Sequence, residues 1–379
     1  MVQLFNSYFN KKELLRFIGS IDQLGGVKIM ELSEGFEKGV RIALLKNGEL
    51  TLTLALDRNM DIANAEYRNV PLAWISPTGI TSPFIYDKEG LNWLRGFFGG
   101  LLTTCGLTYM GAPTIDKGED LGLHGRIAYS PSKLKAVGGE WIDDDYIIYI
   151  EGESKEVKVF EPNLSLRRRI ETKLGERKIK IVDTILNEGW EEQPLMLLYH
   201  FNFGFPLLNE GSKLISTSRF YIPRDKEAWK DVEEFDKFKE PIQNFKEKVY
   251  FHDMATDEEG YAYASIINPN LYDGLGVYIK FKKGELNRFY EWKMIGEGTY
   301  VLGLEPANAL PLGRDKEREW GTLQYIKPQE ERRFSLEVNV LEGKDEIEEF
   351  IKKVNSISKK VKPNIINSLQ EFLKLTSSS

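Results

Sequence analysis

Three histidines are spread over 379 residues, and two stand where a side chain could exchange a proton with a ligand. His124 lies in Leu121-Gly-Leu-His-Gly-Arg126. Glycines at 122 and 125 allow a tight turn and a close approach by a ligand. The guanidinium of Arg126 favours a neutral imidazole unless carboxylates intervene. A structural loop histidine bonded to backbone fits the same spacing. His200 ends an apolar run, Leu198-Tyr-His-Phe-Asn-Phe-Gly-Phe-Pro206. Strand alternation puts Leu198, His200 and Asn202 on one face, opposite Tyr199, Phe201 and Phe203. That face reads either as the polar floor of a pocket or as a core containing a satisfied histidine. Glu305 follows Tyr300-Val-Leu-Gly-Leu304 and precedes Pro306. It is a strand-exit residue, or a general base whose pKa is set by burial. His252, next to Asp253 in a polar turn region, reads as a surface or structural His–Asp pair.

Other chemistries lose support. No H-x-E, H-E-x-x-H or i, i+4 histidine pair occurs, so a zinc site is not expected. Gly-x-Ser-x-Gly and the phosphate-binding Gly-x-x-x-x-Gly-Lys-[Ser/Thr] are also missing. Cys105 is the single cysteine and sits in an apolar run, which predicts a buried, inert thiol. The net charge of -7 argues against nucleic acid, which needs a basic face. Arg167-Arg-Arg169 is read as a solvated strand face. No apolar stretch approaches the roughly 20 residues that span a bilayer, and no signal core opens the chain, so the expectation is a cytoplasmic protein.

The elements that must position these groups are mostly strands. Asn10 to Glu13 has the form of a capping box, followed by a short amphipathic helix through Ile18. Three strands are expected at Val27–Ser33, Val40–Lys46 and Glu49–Asp57, the last two joined by a tight Asn47-Gly48 turn. From Asp57 to about residue 145 the sequence is irregular and rich in Gly, Pro and aromatics. Further strands are expected at Tyr146–Glu151, Val157–Phe160, Leu164–Thr172, Lys178–Leu186 and Leu195–His200. They continue at Val249–His252, Tyr261–Ile267, Gly276–Lys282, Phe289–Met294, Tyr300–Leu304 and Arg333–Val340. A series without interleaved helices predicts a large antiparallel β-sandwich or barrel. Asp225–Phe238 reads as an amphipathic surface insert, with a lid as the alternative. Ile347, Phe350, Ile351 and Val354 have the spacing of an amphipathic helix, and a second helix is expected around Ile365–Leu373.

Six ordered stretches carry a family resemblance. They are Asp57-Arg-Asn-Met-Asp61, Val70-Pro-Leu-Ala-Trp-Ile-Ser-Pro77, Trp93 to Leu107, Leu123-His-Gly-Arg126, Tyr199 to Pro206, and Trp292-Lys-Met-Ile-Gly-Glu-Gly298 followed by Gly303-Leu-Glu-Pro-Ala-Asn308. The set, over about residues 55 to 310, resembles the galactose mutarotase (aldose 1-epimerase) superfamily, and more closely an uncharacterised prokaryotic branch of aldose 1-epimerase-like proteins. The resemblance implies a β-supersandwich with peripheral helices and a sugar cleft. It also implies acid–base ring opening at C1 without metal or cofactor. By analogy Glu305 is the base and His200 the acid, His124 binds the sugar near the ring oxygen or C1, and Arg95 holds a hydroxyl. Asn202 shares the His200 face and joins the binding set. The expected organisation is one β-supersandwich domain over residues 1–342 and a helical extension over 343–379 packed on it.

The chain also departs from the galactose enzymes. Arg126 stands where they carry a second glycine after the histidine, and Lys293 adds a cation. With Arg58, these residues could meet a carboxylate, sulfonate or phosphate. An anionic sugar is therefore one expectation; pairing of the same cations inside the protein is the other. The competing functional class is a non-catalytic carbohydrate-binding or sensing protein on the same scaffold. A third is a carbohydrate lyase or hydrolase, since fold does not fix chemistry.

Overall fold

The computed structural model describes residues 1–377, and its Cα packing divides the chain into two compact units. The first comprises Met1–Leu198 and Ala309–Glu337; the second comprises Tyr199–Asn308 and the chain from Val338 onward. The fold is mostly β and antiparallel.

In the first unit, Gly26–Glu31, Arg41–Lys46, Leu50–Ala55, Asp61–Tyr67 and Val70–Pro71 form a five-stranded antiparallel meander in chain order. Leu50, Leu52 and Leu54 are buried while Thr51 and Thr53 are partly exposed, as the alternation requires. The expected turn is present, with Gly48 at φ 91°. Asn47 does more than turn the chain. Its buried Oδ1 accepts from the amides of Glu49 and Leu50, and its Nδ2 donates to Thr172 Oγ1, Lys173 O and Glu176 O. Four longer strands, Lys133–Ile142, Asp145–Val157, Asn163–Lys173 and Lys178–Asn187, pair antiparallel in chain order. Of the segment expected as strand at Val157–Phe160, Val157 ends the Asp145–Val157 strand and the remainder is the turn to the next one.

Six strands lie inside the stretch expected to be irregular, the two longest being Asp61–Tyr67 and Lys133–Ile142. Asp61 explains the first difference. Its carboxylate is fully buried against the Arg168 guanidinium at 2.6 Å, and Arg168 also forks onto Asp183 at 2.9 and 2.7 Å. The arginine triplet is therefore only partly a solvated face. Arg167 and Arg169 pair with Glu151 and Glu171 near the surface, whereas Arg168 is a core residue.

The second unit contributes six neighbouring strands in the order Asn364–Ile365, Ser218–Pro223, Lys248–Met254, Arg288–Gly296, Thr299–Ala307 and Leu198–Phe203. Lys213–Ser216, Tyr261–Asn268 and Leu275–Lys282 pair in a different sheet. Helix Lys344–Ser358 lays Ile347, Phe350 and Val354 against Tyr263, Ile267 and Leu341, and Phe350 stacks on Tyr278 at 4.7 Å. The Asp225–Phe238 insert is reduced to one α-turn, Lys226–Trp229, and a 3-10 turn, Val232–Glu234. It is anchored rather than hinged, because Ala228, Phe235 and Phe238 are buried and Phe235 lies 4.2 Å from the Tyr221 ring. The N-terminal capping box forms, but its helix is the single turn Lys11–Leu14. Among the described residues no helix is long and apolar enough to cross a membrane.

Candidate active site

Leu198–Phe203 is buried along its whole length, so its alternation does not appear as alternating exposure. Its neighbour Thr299–Ala307 carries Glu305, and this brings His200 Nε2 to 3.3 Å from Glu305 Oε1. The contact is close without being an aligned hydrogen bond. The register of the next strand fixes what surrounds the pair. Trp292 stands opposite Gly303, and Tyr290 opposite Glu305, so these four residues share one face. Trp292 meets the His200 ring edge-on at 5.3 Å. Its Nε1 donates to Glu247 Oε2 at 2.9 Å, and Glu247 Oε1 accepts from Arg224 at 2.9 Å. Asn202 donates its amide to the His200 carbonyl oxygen at 2.9 Å.

Gly303 is the residue that makes this contact possible. A Cβ there would lie 2.5 Å from Glu305 Oε1, 2.9 Å from Trp292 Cβ and 3.2 Å from His200 Cε1. The carboxylate thus occupies the space a side chain would take. Burial raises the Glu305 pKa well above the ordinary carboxylate value. Glu247 adds to the rise and Arg224 opposes it. A buried carboxylate of raised basicity, beside an imidazole, is a couple able to take a proton from one ligand oxygen while giving one to another.

Lys293 does not belong to this constellation. It neighbours Trp292 in the strand and therefore points to the opposite face, paired in register with Lys248 and Leu302. Its ammonium donates to the carbonyls of Glu234 (2.7 Å) and Lys237 in the insert. The expectation that it meets a ligand of His200 and Glu305 is corrected accordingly. His252 also differs from expectation. It is fully buried and faces Ser218 Oγ at 3.0 Å and Glu291 at 3.6 Å, while Asp253 pairs with Arg219 and Lys283.

In the first unit, His124 adopts φ 56° and its amide donates to Gly111 O at 2.9 Å. The flanking glycines accommodate the chain's own backbone. A Cβ at 122 would sit 1.8 Å from Lys88 O, and one at 125 would sit 2.2 Å from Tyr109 O. The imidazole lies 5.0 Å from the Trp93 ring. Burial lowers its pKa to about 4, so it is neutral at pH 7. Neutrality was expected, but from Arg126; packing is the cause. Arg126 is exposed, with its guanidinium 5.2 Å from the Tyr86 ring. Arg95 is exposed on the 3-10 turn Asn92–Gly96 and donates to Asn92 Oδ1 at 3.3 Å. Arg58 is fully buried. It donates to Ala128 O, Thr81 O, Thr81 Oγ1 and Gly96 O and stacks on Tyr129, so it is a structural cation and not a ligand-binding one. Cys105 is buried. No group of three or more His, Cys, Asp or Glu side chains is placed to hold a metal ion among the described residues.

Sequence reasoning missed Trp292, Gly303 and Glu247. Gly303 had a readable signal: a glycine two residues before Glu305 in a strand lies on the same face and leaves room beside the carboxylate.

The domain of unknown function DUF4432 matches residues 37–340. No curated protein matches the chain in sequence. Among solved structures, a candidate aldose 1-epimerase from Klebsiella pneumoniae superposes with TM-score 0.86 at 24% identity, covering 92% of this chain and 93% of the other. A galactose mutarotase-like protein from Clostridium acetobutylicum gives TM-score 0.56 at 14% identity, covering 85% and 100%. A galactose 1-epimerase from Lactobacillus acidophilus gives 0.55 at 12% identity, covering 84% and 99%. The chain therefore belongs to the DUF4432 family, and its fold is that of the galactose mutarotase-like proteins.

Proposed function

We propose that the chain is a sugar 1-epimerase, interconverting the anomers of an aldose or an acidic sugar. The Glu305 carboxylate takes the proton of the C1 hydroxyl while protonated His200 gives one to the ring oxygen. The bond between C1 and the ring oxygen breaks, leaving an open-chain aldehyde. Rotation about the bond from C1 to C2 and reversal of both transfers close the ring with the other configuration at C1. No atom is gained or lost, and the two groups end in their starting protonation states.

The observation that carries this reading is the His200–Glu305 contact at 3.3 Å, desolvated and given room by Gly303. Burial raises the basicity of Glu305, and the adjacent imidazole supplies the complementary acid. The test is NMR exchange spectroscopy on the α and β anomers of a panel of neutral aldoses and hexuronates. Wild-type protein is expected to accelerate exchange over buffer for at least one sugar, and Glu305→Gln to lose about 10²–10⁴ of that acceleration. Absence of acceleration across the panel, or full activity in Glu305→Gln, overturns the reading. Sugar affinity without exchange would identify a binding protein instead.

A further inference from the structure

Arg126 lines a cavity of about 270 Å³ within the first unit. That volume is near the lower end for ligand pockets, with room for one monosaccharide. The wall also contains Tyr86, Lys88, Tyr109, Asp120 and Glu156.

The charges around the cavity do not all remain available. Glu156 is spent on the amide of Leu107 at 2.6 Å and on Thr108. Two further lining residues, Lys158 and Glu161, pair with each other, and Glu119 pairs with Arg314. Arg126 has no carboxylate partner among the described residues. Its guanidinium lies over Tyr86, itself 4.9 Å from Tyr129. The guanidinium also hydrogen-bonds the Tyr86 side chain, which fixes its position and leaves its remaining N–H groups to a ligand. A second observation points the same way. Tyr109 is 2% exposed, and its hydroxyl has no hydrogen-bond partner among the described residues. A buried phenol without a partner is costly, and a ligand oxygen would satisfy it.

We infer that this cavity binds a sugar carrying a single negative charge, with Arg126 holding its carboxylate through two parallel hydrogen bonds and Tyr109 donating to a sugar oxygen. The acidic residues in the wall disfavour a doubly charged phosphate. They suit a ligand whose hydroxyls face Asp120 while its one carboxylate faces Arg126. The assignment of a sugar rests on the epimerase reading. The binding measurement does not, so the two can fail separately.

Isothermal titration calorimetry with D-glucuronate and D-galacturonate, against D-glucose, D-galactose and glucose 6-phosphate, tests the inference. At least one hexuronate is expected to bind about tenfold or more tightly than its neutral hexose, with the advantage weakening as salt is raised. Arg126→Ala, at an exposed position, is expected to remove the advantage. Arg126→Lys should restore only part of it because the planar fork is lost. Tyr109→Phe should weaken acidic and neutral sugars alike. Equal affinity for acidic and neutral sugars, a preference that survives Arg126→Ala, no binding of either hexuronate, or tighter binding of the phosphate would overturn it. Loss of anomer exchange with hexuronate binding intact would sink the epimerase reading alone.

Discussion

The second unit contains two His–Glu pairs on opposite faces of one sheet. His200 and Glu305 approach to 3.3 Å, and His252 and Glu291 to 3.6 Å. Burial raises both glutamate pKa values well above normal. Residue type, distance and electrostatic direction therefore do not separate them. Access does. The His200 and Glu305 side chains keep 7% and 6% of their surface exposed, whereas His252 and Glu291 keep none. The second pair is enclosed by Tyr221, Phe235 and Phe289 at ring separations of 5.6–5.7 Å. Neighbouring residues are divided between the two pairs: Trp292 packs on His200, while Glu291 and Lys293 point the other way. In the proposed reading the first pair is the one that meets a ligand, while the second holds the sheet and the insert together.

Matched substitutions give the largest effect expected from this contrast. Glu305→Gln should cut kcat/KM for anomer exchange by about 10²–10⁴. Glu291→Gln should leave it within about threefold, since a sealed group cannot reach a substrate. Comparable losses in both variants, with folding intact by circular dichroism, would erase the distinction between the faces.

Gly303→Ala attacks the accessible pair without touching its chemistry. The new methyl would lie 2.5 Å from Glu305 Oε1, so the carboxylate must move. A displacement of about 1 Å at a catalytic group costs on the order of 10² in rate. Steady-state kinetics should show that loss mainly in kcat. An unaffected kcat would mean that the His200–Glu305 spacing is not what the reaction requires.

Much of this architecture was legible in the residues, and its gaps have physical causes. The Leu50–Leu54 alternation and the Asn47-Gly48 turn are local signals, and the hairpin they specify is present. Asp61–Tyr67 escaped because its first residue is a carboxylate. Arg168, 107 positions away, and Thr104 together make Asp61 acceptable in a core. His200 and Glu305 were recognisable as candidates, but their contact depends on the pairing of separate strands and on the missing side chain at 303. Lys293 lies within a family-like stretch, but its strand parity assigns it to the face opposite Trp292. Arg58 misled for a related reason: a cation near site-like sequence can be wholly consumed by backbone carbonyls.

Lys293→Met sharpens the comparison from the sealed side. It leaves the Glu234 and Lys237 carbonyls without this donor and removes the cation that opposes the rise in the Glu291 pKa. A loss of about 1–3 kcal/mol in urea unfolding is expected, with sugar affinity unchanged. An affinity loss above about tenfold in folded protein would return Lys293 to the binding residues.

The smallest effect is a difference in pH slope within the sealed pair. His252 has a folded pKa of about 3 against 6.5 when unfolded, because burial disfavours the imidazolium. Below pH 6.5 the unfolded chain takes up a proton that the folded chain refuses. Stability from this group is therefore complete above 6.5 and falls as the pH drops toward 3. Glu291 has the reverse sign. Its folded pKa lies well above 4.5, so above that pH the unfolded chain releases a proton that the folded chain retains, and stability falls as the pH rises. Calorimetric Tm values for wild type, His252→Phe and Glu291→Gln over pH 4–8 would separate the two contributions. Relative to wild type, His252→Phe should gain stability as the pH falls below 6.5, and Glu291→Gln as it rises above 4.5. Parallel Tm curves for all three proteins would mean that neither group is held in its neutral form, and that the second pair is not sealed from water as its packing requires.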